Sequence, residues 1–231
     1  MKTHPARTSL AFTLIELITV IAIISVLMAL LFPHLAAARD SARRQTAATV
    51  VRNVVNAANG YKQDYGKYPP VAAAADTTTA ANPFMSFGDK DAGMMVDNNA
   101  LLDVLRAIDR GENQDNKLNP KQTKYYEGKK ATDAKNPRDG FQDGSEFEST
   151  KRGQLMDPWG AEYCFILETD GDEVLDLSKV YTDLKGTDNV IRFAAVGICL
   201  GKDSKVGGKE YPGKFRKEKS SEPPDDIVSW Q

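Results

Sequence analysis

One stretch limits this chain more than any other. From Phe12 to Phe32 it reads FTLIELITVIAIISVLMALLF, apolar throughout except for a single charge at Glu16. Roughly 20 such residues in a helix rise about 30 Å, the thickness of a bilayer's hydrocarbon core. The run reads first as a membrane-spanning helix and second as an assembly surface. Mean hydropathy of the whole chain is nevertheless −0.43, so the remainder is strongly polar. One membrane helix and one soluble domain is the simplest division of 231 residues.

The lone acid is the informative detail. A carboxylate inside a span costs about 3 kcal/mol on insertion scales, so Glu16 needs a partner or a task. Before the run lies MKTHPARTSLA, short and basic, with Lys2 and Arg7 and no acid. Those two charges favour a cytoplasmic N-terminus and send the C-terminal part outside. Arg39, Arg43 and Arg44, just beyond the span, argue the other way.

The segment FTLIEL, Phe12 to Leu17, with the apolar run and Pro33 behind it, resembles the processing site of type IV pilins and of the pseudopilins of type II secretion. The resemblance implies a prepilin leader over 1–11, cut between Ala11 and Phe12, with N-methylation of Phe12. The family has Gly before the cut, and Ala11 departs from it by one methyl group. The resemblance also gives Glu16 a role: its carboxylate neutralises the freed amine of a neighbouring subunit. Pairing across subunits rewards one register of packing, because a buried unpaired charge is expensive. A plain signal anchor with a tolerated acid is the bland alternative. Loss of the leader would remove two of 30 basic side chains against 32 acidic ones, leaving a mildly acidic chain with no case for nucleic-acid binding.

Past Pro33 the chain stays rich in helix formers. A proline kinks a helix without necessarily ending it. Ala47, Val50, Val54, Ala58, Tyr61 and Tyr65 recur at helical spacing, which predicts one long helix from about Phe12 to Tyr65. Its second half, 33–66, is amphipathic and expected to pack on the soluble domain. Gly66 and Pro69 end it, and YGKYP resembles the segment that closes the long helix in pseudopilins.

Residues 67–156 read as a variable region. Within it 70–97 has no periodicity and reads as a loop. A short helix is expected over 98–110, capped by Asp97 or Asn98, with Leu101, Leu102, Leu105 and Ile108 inward and Gly111 as its stop. From Glu112 to Met156 the chain is charged and punctuated by glycine, a long excursion whose LNPKQTKYYEG phrase is apolar enough to lie on a sheet.

Residues 157–231 predict an antiparallel sheet and a C-terminal loop. Asp157, Pro158, Trp159 and Gly160 mark a tight turn, and AEYCFILE follows as a strand. TDGDE, Thr169 to Glu173, reads as a hairpin turn to a second strand over 174–180. The third strand covers 189–200. Asp170, Asp172 and Asp176 lack the spacing of a calcium loop. DPWGAEY resembles the DPWGxxY signature of the major, G-type pseudopilin of type II secretion, and it stands far downstream of FTLIEL in the order that family has. The tail, ending PPDDIVSW, is similar to the family's calcium loop, which implies metal ligation by Asp203, Asp225 and Asp226. Lys202, Lys205, Lys209 and their basic neighbours oppose a cation there, and a flexible basic loop tied down by Ile227 and Trp230 is the alternative.

Cys164 and Cys199 fall on predicted strands. An extracytoplasmic domain permits a disulfide, while central strand positions favour buried free thiols. No catalytic constellation appears: the two histidines are His4 and His34, and GxSxG, HExxH and phosphate-loop patterns are missing. The expectation is therefore an α+β, pilin-like, non-enzymatic subunit of a type II secretion pseudopilus. It would sit single-pass in the bacterial inner membrane with a periplasmic C-terminal domain. The partners the resemblance implies are copies of itself, other pseudopilins, the inner-membrane secretion platform and the prepilin peptidase. A type IV pilin for adhesion, motility or DNA uptake, and a membrane-anchored periplasmic binding module, are the alternatives.

Overall fold

A computed structural model describes residues 13–76, 83–177, 180–181, 190–207 and 226–230. The chain divides into two compact units, Met1–Arg43 and Arg44–Gln231. One helix, α1 (Leu14–Tyr65), begins in the first and ends in the second.

In the first unit α1 is continuous through Pro33. Leucine, isoleucine and alanine supply helix propensity along it. Its large apolar side chains are all exposed, from 76 % at Leu14 to 44 % at Leu35.

The second unit is built on the rest of α1. Ala47, Val51, Val54, Ala58 and Tyr61 are buried at alternating steps of four and three, one seam of a helix. Val51, rather than the expected Val50, carries the seam, and Val50 lies at its edge. Gly66 ends the helix in the left-handed region (φ 76°) and donates its N–H to Lys62 C=O at 2.7 Å, a position that glycine adopts without strain.

Against this seam lies a five-stranded antiparallel sheet. Its strands are β1 (Ala75–Asp76), β2 (Phe84–Phe87), β5 (Cys164–Glu168), β8 (Ala195–Cys199) and β9 (Ile227–Val228), in that spatial order. Two small ladders complete the strand set: β3 (Gly140–Phe141) with β4 (Leu155–Met156), and β6 (Leu175–Asp176) with β7 (Val190–Ile191). β5 is the centre of the main sheet, and β5 and β8 are buried at every position. One face presents Met85, Phe87, Phe165, Leu167 and Ala195 to the core that contains the helix seam. The other presents Phe84, Cys164, Ile166, Val196 and Ile198 to Leu175, Leu177 and Tyr181. β8 and α1 approach closely at Gly197: a Cβ there would meet Val51 Cγ1 at 2.7 Å.

The α+β expectation holds, and several local expectations do not. Residues 70–97 are not all loop, since β2 lies among them and pairs with β5 along its whole length. Phe84–Phe87 is buried on both faces, so it lacks the alternation that would announce a strand. The short helix α2 (Asn99–Leu105) stops well before Gly111, because Ala107 turns to φ 55°. Thr169 to Glu173 does not close a hairpin within one sheet: β6 pairs with β7, while β5 takes β2 and β8 as neighbours. The strand expected over 189–200 is interrupted, with Phe193 exposed between β7 and β8.

The two cysteines are buried and free. Cys164 pairs in register with Ile198, so Cys199, one residue on, points to the opposite face of the sheet. They belong to the two different cores and cannot be bridged without moving a strand.

Candidate functional site

The start of α1 carries more structure than its letters suggest. Thr13 N–H and Thr13 Oγ1 both donate to Glu16 Oε2, at 2.8 and 2.7 Å, and Glu16 N–H reaches back to Thr13 Oγ1 at 3.3 Å. This is a reciprocal capping box, threonine at the N-cap and glutamate three residues on. The Thr-x-x-Glu spacing was there to be read. It satisfies helix donors that would otherwise face an apolar environment. Ala11 and Phe12, the cleavage pair, lie outside the described residues.

The remaining polar side chains of the apolar segment are also satisfied within the helix. Thr19 Oγ1 donates to Glu16 C=O at 2.9 Å and Ser25 Oγ to Ile21 C=O at 2.7 Å. Hydroxyls bonded to their own backbone pass into lipid or against other apolar helices at little cost. Of the described residues, this is the one helix long and apolar enough to cross a membrane, and a signal sequence has the same character.

The Asp157–Gly160 turn is built around the aspartate. Asp157 is fully buried, and its Oδ1 accepts N–H bonds from Trp159 (2.8 Å), Gly160 (2.7 Å) and Ala161 (3.0 Å). Cys199 Sγ lies 3.3 Å from its other oxygen. Burial raises the Asp157 pKa, and the accepted hydrogen bonds oppose the rise. Gly160 takes φ 105°, as expected of the turn glycine, and Trp159 packs half-buried against the helix-side core. The sequence pointed to Pro158 and Gly160 as the turn makers; the carboxylate cage is the missed part.

Asn98 is a second organiser hidden behind a familiar letter. It stands at the N-cap of α2 but makes no cap bond. Its amide instead donates to Leu155 C=O (2.9 Å) and Tyr163 C=O (3.0 Å), while its oxygen accepts Leu155 N–H. Glu162 accepts the Asn98 N–H at 3.0 Å, and burial pushes the Glu162 pKa up to about 7. The 112–156 excursion is tied to both α1 and α2, and its Tyr126 and Phe141 are buried in the core that α1 shares with the sheet. Tyr65 Oη donates to Asn119 at 3.0 Å, Tyr61 to Leu118 C=O, and Tyr125 packs edge-on against Tyr61.

Two acidic groups bear on metal binding. Asp226 Oδ2 accepts Gly207 N–H at 2.8 Å and Tyr181 O–H at 2.9 Å, so the loop after β8 meets the residue that opens β9. Asp203 accepts Lys205 N–H at 2.9 Å within that loop. Asp225 and the lysines beyond Gly207 lie outside the described residues. Asp203 and Asp226 belong to no group of three acids, among the described residues, whose oxygens could share one ion. A separate trio, Glu168, Asp170 and Asp172, brings carboxylate oxygens within 4.8 Å of one another and could hold a metal ion. It includes Glu168 in place of the Asp176 considered from sequence. Lys62 already sits 2.8 Å from Glu168 and neutralises part of its charge.

No protein-family model matches this chain, and no curated protein or solved structure does either. What the described residues define is a pilin-like architecture: a 52-residue helix, apolar in its first part, whose later part packs on an antiparallel sheet.

Proposed function

We propose that this chain is a non-enzymatic structural subunit of a type II secretion pseudopilus. The observation that carries the reading is the first part of α1. Its apolar side chains are exposed on every side, and its few polar groups are bonded internally. Such a surface demands a cover, first lipid and then neighbouring copies. The DPWGAEY and DDIVSW resemblances favour secretion over a type IV pilus for adhesion, motility or DNA uptake.

On this reading the prepilin peptidase removes 1–11 and methylates Phe12. The subunit waits single-pass in the inner membrane with its sheet domain in the periplasm. Assembly on the secretion platform, with other pseudopilins, buries the apolar helix against its neighbours. Glu16 exchanges its Thr13 contacts for the amine of the adjoining Phe12 and so sets the stagger. Calcium, when bound by Asp203, Asp225 and Asp226, ties the loop after β8 to the tail. Mass spectrometry of the mature N-terminus tests the reading. It predicts a chain that starts at a methylated Phe12. An intact leader, or a cut far from Phe12, would overturn it.

A further inference from the structure

Arg39 and Arg43 are the first cations past the apolar segment. They stand one turn apart on one face of α1, about 6 and 12 Å along the axis beyond Leu35. Both are exposed, and neither makes an ion pair among the described residues. The nearest acid, Asp40, is turned about 100° around the helix from Arg39 and about 60° from Arg43. Only Ala36, Ala37 and Ala38 separate Leu35 from Arg39, so nothing bulky stands between the apolar boundary and the guanidinium groups.

We propose that Arg39 and Arg43 form a clamp for the phosphates of anionic phospholipids in the leaflet where the apolar helix emerges. The inference rests on the membrane-span reading above, which places both residues at headgroup depth. Arginine's planar fork matches phosphate oxygens, and its long stem reaches from a helix end to the interface. The clamp also accounts for basic residues on the outward side of the span, against the usual charge bias. A carboxylate of a neighbouring copy is the competing partner. The lipid is favoured because it is present at that depth before any neighbour arrives, and because two exposed arginines one turn apart on one face suit an anionic surface. The clamp holds the unassembled subunit in the bilayer, and its lipids must be released when the helix leaves for a filament.

The test uses the full chain in phosphatidylcholine vesicles containing about one-fifth phosphatidylglycerol. Spin-labelled versions of each lipid report the first shell around the helix. Each near-surface arginine should favour the anionic lipid roughly fivefold, with the preference fading at high salt. Arg39→Gln/Arg43→Gln should lose the preference about tenfold or more and remain inserted. Arg39→Lys/Arg43→Lys should fall between that variant and wild type, because the charge stays and the fork is lost. Equal preference in the inserted wild type and Gln variant would overturn the clamp while leaving the span intact. Loss of filaments in the Gln variant with lipid preference unchanged would also overturn it, in favour of a neighbouring copy. Failure of the wild type to insert would overturn the span and the clamp together.

Discussion

The two ends of α1 are made of the same helix and solve opposite problems. From Ala47 to Tyr61 the buried side chains form a narrow seam, and the sheet domain supplies the cover. From Leu14 to Leu35 the apolar surface wraps the whole cylinder, and none of it is covered. The narrow stripe belongs to a core that the chain completes alone. The full cylinder belongs to a surface that something else must complete. Stability of the sheet domain and assembly through the apolar end should therefore be separable by mutation.

The largest expected effect strikes the seam. Val51→Asp puts a charge into the fully buried seam beside Gly197 and should cost more than about 4 kcal/mol, enough to unfold the domain. Ile24→Asn, in the exposed half, should leave the domain's melting temperature in detergent unchanged. Equal melting of both variants would break the separation.

A smaller effect is tied to pH and confined to the sheet domain. The Glu162 carboxyl has a folded pKa near 7 against an ordinary 4.5. Between those values the folded state holds a proton that the unfolded state has released, so stability falls as pH rises through this window. Glu162→Gln keeps an acceptor for Asn98 N–H and should flatten that slope. The comparison is melting temperature against pH for the two proteins. A slope that persists in the variant would assign it to another group.

The smallest effect lies at the other end. Thr13→Val removes the capping box and should cost about 1 kcal/mol of local helix stability. Amide exchange in the first turn should quicken, with the sheet domain unaffected. No change in exchange would show that the box contributes nothing there.

Legibility from sequence follows the same divide. The long helix can be read because composition fixes its first part and a four-three rhythm fixes its second. β2 cannot be read, since Phe84–Phe87 is buried on both faces and has no rhythm. Asn98 looks like a helix cap because nothing in its neighbours reveals that Leu155 and Tyr163 will offer carbonyls from far along the chain. Asp157 sits in a recognisable turn, but its three N–H contacts exist only once the backbone has closed. Likewise, it is the register of β5 against β8 that turns Cys164 and Cys199 to opposite faces. At Glu16 the capping spacing was legible, and it now supplies a second role for the acid alongside charge pairing.

Those two roles part company in Glu16→Gln, which keeps a hydrogen-bond acceptor for Thr13 and loses the charge. The decisive measurement is filament yield by electron microscopy for this variant beside wild type, with melting temperature as the folding control. Charge pairing between copies predicts a normally folded domain and no filaments. Wild-type filament yield from Glu16→Gln would contradict it and leave the carboxylate as a helix cap alone.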